Sequence, residues 1–109
     1  MNAAEDALLR DRLADLLRRG LETRWQDRAD TSEKVDAITH ELQQIPHDDY
    51  AAKLTVAGFS AQPYSSDALP GVEQECSTCV RYERNRRYCN LPELALPVEP
   101  EWSCVLWRI

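Results

Sequence analysis

The chain has 109 residues, with 13 Lys and Arg against 19 Asp and Glu, for a net charge of -6. That length suits one domain, or a helical unit carrying a small module, and excludes a conventional two-domain enzyme. The acidic balance excludes broad electrostatic affinity for nucleic acid or an anionic membrane, leaving anionic partners only a local basic patch.

The stretch Met1 to Asp6 has neither the basic nor the apolar region of a secretory signal, so a cytoplasmic location is expected. No run approaches the roughly 18 apolar residues of a transmembrane helix. In a reducing compartment, four cysteines are expected to ligate a metal or cluster rather than form two disulfides. Charge also divides the chain: residues 1–75 hold 8 basic and 15 acidic side chains, and residues 76–109 hold 5 and 4. The expected organisation is a helical segment over 1–60, a linker over 61–75 and a four-cysteine module over 76–109.

Leu9, Leu13, Leu16, Leu17, Leu21 and Trp25 recur at spacings of three and four among charged residues, predicting one amphipathic helix from about Ala3 to Arg28. Gly20 inside it predicts a kink or close packing. Asp30-Thr31-Ser32-Glu33 offers an N-cap with a Glu three residues on. Val35, Ile38, Leu42 and Ile45 continue as a second helix closed by Pro46. Asp48 and Asp49 suit the positive end of a third helix, whose apolar face runs through Tyr50, Ala51, Leu54 and Ala57 to a terminating Gly58. The expected fold class is α plus irregular, a helical hairpin or three-helix unit followed by a loop-rich module. Ser60 to Gly71 reads as linker by composition.

The cysteines Cys76, Cys79, Cys89 and Cys104 form a C-x2-C-x9-C-x14-C arrangement. Two residues between the first pair let a single turn aim both sulfurs at one centre, and two more cysteines complete a tetrathiolate shell. Structural zinc and an iron-sulfur cluster are its two occupants. Zinc sites with four cysteines commonly join two C-x-x-C knuckles, whereas Cys89 and Cys104 stand alone, an arrangement that suits a larger cluster. Leu91, Leu94, Leu96, Val98, Trp102, Val105, Leu106 and Trp107 flank the last two cysteines and predict a dry pocket. Pro92, Pro97 and Pro100 predict a wrapping loop over residues 90–102 rather than a helix or central strand.

Cys76-Ser77-Thr78-Cys79, Cys89-Asn90-Leu91-Pro92 and Trp102-Ser103-Cys104 together resemble the high-potential iron-sulfur proteins, over the last 34 or so residues. The resemblance implies a [4Fe-4S] cluster on Cys76, Cys79, Cys89 and Cys104 in a fold with little regular structure. Related cluster folds also serve as accessory subunits of larger enzymes, including glycyl-radical enzymes.

Arg81, Arg84, Arg86 and Arg87, interleaved with Tyr82 and Tyr88, crowd the loop between the second and third cysteines. In an acidic protein such guanidinium groups are expected to offset an anionic cluster or dock a partner rather than bind nucleic acid. Trp102 and Trp107 are expected to shield the cluster from solvent. His40 and His47 form no metal-ligand pair, and no catalytic constellation stands out. The expectation is a non-enzymatic [4Fe-4S] protein that transfers electrons or serves as an accessory subunit, with a protein partner, a redox enzyme or larger complex, and neither nucleic acid nor membrane. The alternatives are a zinc-stapled docking protein and a cluster-based redox sensor.

Overall fold

The computed structural model describes residues 3–65 and 73–108. Three helices come first: α1 (Ala3–Arg18), α2 (Ser32–Gln43) and α3 (Tyr50–Val56). Short strands and loops follow. β1 (Tyr64–Ser65) and β2 (Glu73–Gln74) pair as an antiparallel ribbon, bringing the two described ends of the expected linker together. β3 (Tyr82–Glu83), β4 (Tyr88–Cys89) and β5 (Leu96–Pro97) form a three-stranded antiparallel sheet in that order. The coarse expectation of helices followed by a loop-rich stretch holds. The proline-rich loop nevertheless contributes β5, and Pro97 is tolerated there because β5 is an edge strand. Among the described residues, no helix is long and apolar enough to cross a membrane.

The helix expected over residues 3–28 ends ten residues early, at Arg18. Gly20 adopts φ 90°, its N–H bonds to the Leu17 carbonyl, and the Leu21 N–H bonds to the Leu16 carbonyl. This is the Schellman arrangement, so Gly20 terminates the helix instead of kinking it. The following residues run as a loop, leaving Trp25 44% exposed rather than on a helical apolar face. α3 ends the same way at Gly58 (φ 62°), with Gly58 N–H bonded to Thr55 O and Phe59 N–H to Leu54 O. The cap of α2 falls one residue later than expected: Thr31 accepts the Lys34 N–H, and Asp30 instead pairs with the Lys34 ammonium at 2.9 Å.

The helices and the cysteine-bearing third share one core. Leu13, Leu42 and Leu54, one from each helix, are buried with Leu94, Leu96, Val98, Trp102 and Val105. Each such side chain contributes roughly 1.5–3 kcal/mol by leaving water. Polar contacts fix the register. Arg10 of α1 is buried, and its guanidinium donates to the carbonyls of Val98 (3.1 Å), Arg86 (3.1 Å) and Arg87 (2.9 Å). Two of these carbonyls belong to the β3–β4 turn, where Arg87 sits at φ 53°, and the Arg87 carbonyl also accepts the Val98 N–H at 2.9 Å. One turn earlier, buried Asp6 accepts both donors of Arg86 at 2.7 and 3.1 Å, and Arg86 also stacks over the Tyr88 ring at 3.6 Å.

The hydrogen bonds from Arg86 hold the Asp6 carboxyl below the usual carboxylate range. Asp6 ionises more readily folded than unfolded, so its contribution is complete above its unfolded value of about 3.9 and vanishes as pH falls through the lower folded value. Asp6→Asn is expected to cost about 2 kcal/mol at pH 7, a figure reduced for the partial exposure of Arg86. Urea titrations at pH 7 and pH 3 check this: the difference between wild type and variant must shrink at the lower pH.

Candidate metal centre

The four cysteines reach the site from three local structures. Cys76–Thr78 forms a single 3-10 turn, with the Cys79 N–H bonded to the Cys76 carbonyl at 3.0 Å. Three residues per turn bring positions i and i+3 to the same side, so Cys76 and Cys79 point together. Glu75 and Thr78 cap the turn reciprocally, and Ser77 Oγ donates to Glu75 Oε1. The turn is anchored to the chain beyond β5: Cys76 N–H donates to Trp102 O (2.6 Å) and Ser77 N–H to Pro100 O (3.0 Å).

Cys89 lies on β4, directly opposite Tyr82 of β3 and Leu96 of β5. Residues opposite each other in antiparallel strands share a face, so Tyr82, Cys89 and Leu96 look the same way. Cys104 arrives on an extended stretch held between the helices. Ser60 and Ser103 exchange both backbone hydrogen bonds, Val105 N–H donates to Ala57 O, and Ala29 N–H donates to Val105 O.

The four cysteines, none of them in a disulfide, line one cavity together with Phe59, Arg81, Tyr82 and Trp107. The cavity between them is narrow, about 20 Å³. Aside from Arg81, the wall is sulfur and aromatic carbon. Burial pushes the Cys76 thiol well up, the Cys89 thiol up to about 11 and the Cys104 thiol up to about 12, and the neighbouring sulfurs add to each rise. Four negative sulfurs in so dry a space repel one another, and a bound cation reverses that penalty by deprotonating the thiols it ligates. Two backbone donors already favour anionic sulfur: the Leu91 N–H bonds to Cys89 and the Leu106 N–H to Cys104.

A single zinc ion needs all four sulfurs about 2.3 Å from one point, hence about 4 Å from each other. Among the described residues, no three His, Cys, Asp or Glu side chains are gathered tightly enough to hold one metal ion. All four thiols nevertheless line one cavity, and a tetrathiolate donor set is the ligand chemistry of iron-sulfur centres as well as of zinc.

No family model, curated protein or solved structure matches this chain.

The expected surroundings divide. Trp107 stands on the cavity wall with its indole N–H bonded to Thr78 Oγ1 at 2.9 Å. Trp102 is buried in the core, away from the cavity lining, and contributes its carbonyl to Cys76. Leu94, Leu96, Val98, Val105 and Leu106 are buried in the shared core. Of the four arginines, Arg81 lines the cavity and Arg84 is exposed at the β3–β4 turn. Arg86 and Arg87 are engaged by Asp6 and Glu99.

Arg28 is the cation that sequence reasoning missed. It lies in the α1–α2 loop, donates to Cys104 O (3.1 Å) and Gln74 Oε1 (2.8 Å), and sits over the Tyr64 ring at 3.9 Å. Its charge lowers the cost of a thiolate at Cys104. Phe59 was also not foreseen as a wall residue. The only signal for it was its place directly after the terminating Gly58, which turns the chain into the cavity.

Proposed function

We propose that the cavity holds a [4Fe-4S] cluster ligated by Cys76, Cys79, Cys89 and Cys104, and that the protein is a cytoplasmic electron-transfer or accessory subunit rather than a catalyst. The observation that carries this is the convergence of four free cysteines, from three separate structural contexts, on one apolar cavity. The resemblance of the last third to high-potential iron-sulfur proteins supports the same occupant. When bound, such a cluster supplies reversible one-electron chemistry.

The chain's own residues supply the conditions. Phe59, Tyr82 and Trp107 limit water at the sulfurs, which favours one cluster charge state over another. The Leu91 and Leu106 amides stabilise electron-rich sulfur, and Arg28 and Arg81 place positive charge beside Cys104 and Cys89. The buried thiols of Cys76, Cys89 and Cys104, all raised, hold their protons before loading, so metal uptake releases protons and weakens at low pH.

Anaerobic purification followed by iron, sulfide and zinc analysis tests the proposal, with Cys89→Ala alongside. The expected result is brown protein with about four irons and four sulfides per chain, both lost in the variant. One zinc per chain with no sulfide would replace the electron carrier by a zinc-stapled docking protein.

A further inference from the structure

Most cations in this chain are consumed by the fold. Arg10, Arg86 and Arg87 bind Asp6, Glu99 and turn carbonyls, Arg24 binds Glu41, and Arg18 and Arg19 share Asp15. Among the described residues, four exposed arginines stand in no ion pair: Arg12 on α1, and Arg81, Arg84 and Arg108 in the cysteine-bearing third.

The last three are not scattered. Arg81 lines the cavity itself. Val80, which is 62% exposed, precedes it and donates its N–H to Arg108 O at 2.8 Å, so the exposed residues Val80, Arg81 and Arg108 lie on adjacent stretches of chain beside the thiols. Arg84 stands two residues beyond Tyr82, another wall residue. An exposed aliphatic side chain bordered by unpaired guanidinium groups is the make-up of a docking face, with an apolar centre and a charged rim. Its sign opposes the net charge of -6.

On the premise that the cavity holds a redox cluster, we propose that the Val80–Arg81–Arg108 face is where an acidic electron-transfer protein docks. The partner's carboxylates meet the arginines, and one electron passes between the cluster and the partner's own redox centre. Charge complementarity selects the partner: a basic protein is attracted by the chain as a whole but repelled at this face. Nucleic acid would need a longer basic track, which the overall negative charge opposes.

The test uses the loaded protein and two forms of one probe, a basic c-type cytochrome and the same cytochrome with its lysines succinylated. In each reaction the reduced protein loses one electron and a ferric haem becomes ferrous. At low salt the succinylated form is expected to react about tenfold faster, and the advantage should fade as salt screens the contact. Arg81→Glu should reverse the preference and Arg81→Gln abolish it, with unchanged circular dichroism establishing that both fold. Equal rates, or faster reduction of the native cytochrome, would overturn the docking face.

A second readout needs no cluster. In metal-free protein, thiol reaction with dianionic 5,5′-dithiobis(2-nitrobenzoate) should outpace reaction with dicationic cystamine, relative to the two rates on free cysteine. Arg81→Glu should shift that ratio about tenfold towards cystamine. Colourless protein would refute the cluster alone, and the thiol ratio would then decide the charge of the face. Retention on duplex DNA at physiological salt, lost in Arg81→Glu, would replace the acidic protein by nucleic acid.

Discussion

Cys104→Ala is expected to abolish cluster retention and to lower the thermal midpoint of the purified protein by roughly 15–30 °C. A ligand held at a thousand times its dissociation constant stabilises the folded state by about 4 kcal/mol, and each kcal/mol moves a domain of this size by about 4–8 °C. The effect is large because Cys104 serves the site and the core together. Its neighbours bond to Ser60, Ala57 and Ala29, and its own carbonyl receives Arg28. Losing the ligand therefore loosens the attachment of the cysteine-bearing stretch to the helices. The same substitution in metal-free protein removes one small buried side chain and should cost only about 1 kcal/mol. Scanning calorimetry on loaded and metal-free forms separates the two. Equal shifts in both would mean that the centre adds nothing to stability.

Gly58→Ala is the second large effect. A methyl group built there would lie 2.5 Å from Val105 Cγ1 and 2.7 Å from the Arg24 carbonyl oxygen, at φ 62°. The backbone oxygen cannot swing aside as a side chain can. Left-handed backbone costs a non-glycine residue about 1–2 kcal/mol, and overpacking adds about 1–3, so a total of about 3 kcal/mol is expected. Gly20→Ala is the matched control. Gly20 has φ 90° but nothing within 4 Å of an added methyl, so only the backbone cost of about 1 kcal/mol applies. Urea denaturation of the two variants reads the difference, and equal costs would contradict the close approach at Gly58.

What the sequence conveyed, and what it withheld, follows the range of the interactions. Local signals were readable. The C-x-x-C spacing corresponds to the 3-10 turn of Cys76–Thr78, and Asp49, expected only to suit the positive end of the third helix, lies there and caps it by accepting the Ala52 N–H. The 3,4 spacing over Leu9 to Trp25 misled because periodicity continues through a terminator. Leu21 and Trp25 fall on the helical period, but the Schellman bonds at Gly20 stop the helix before either. Long-range pairings left no trace in the pattern. Arg86 and Arg87 look like Arg81 and Arg84 in sequence, and only tertiary contact shows that Asp6 and Glu99 engage the first two. Arg28 beside Cys104 bridges 76 positions, a distance no motif spans.

That separation also bears on the order of events during folding. Arg10 reaches Val98 across 88 positions and Arg86 reaches Asp6 across 80, so the walls of the cavity come together only after long loops have closed. Loop closure of that kind slows folding, whereas a single turn forms quickly. In the open chain, Cys76 and Cys79 are the one pair of thiols already close. On the proposed cluster reading, an iron met at that stage has two sulfurs to hold it, and the full set of four lines the cavity only once the chain has closed. Under that proposal, folding separates a labile phase from a retentive one, and a chelator pulse timed to early refolding should strip iron that the same chelator leaves in place minutes later.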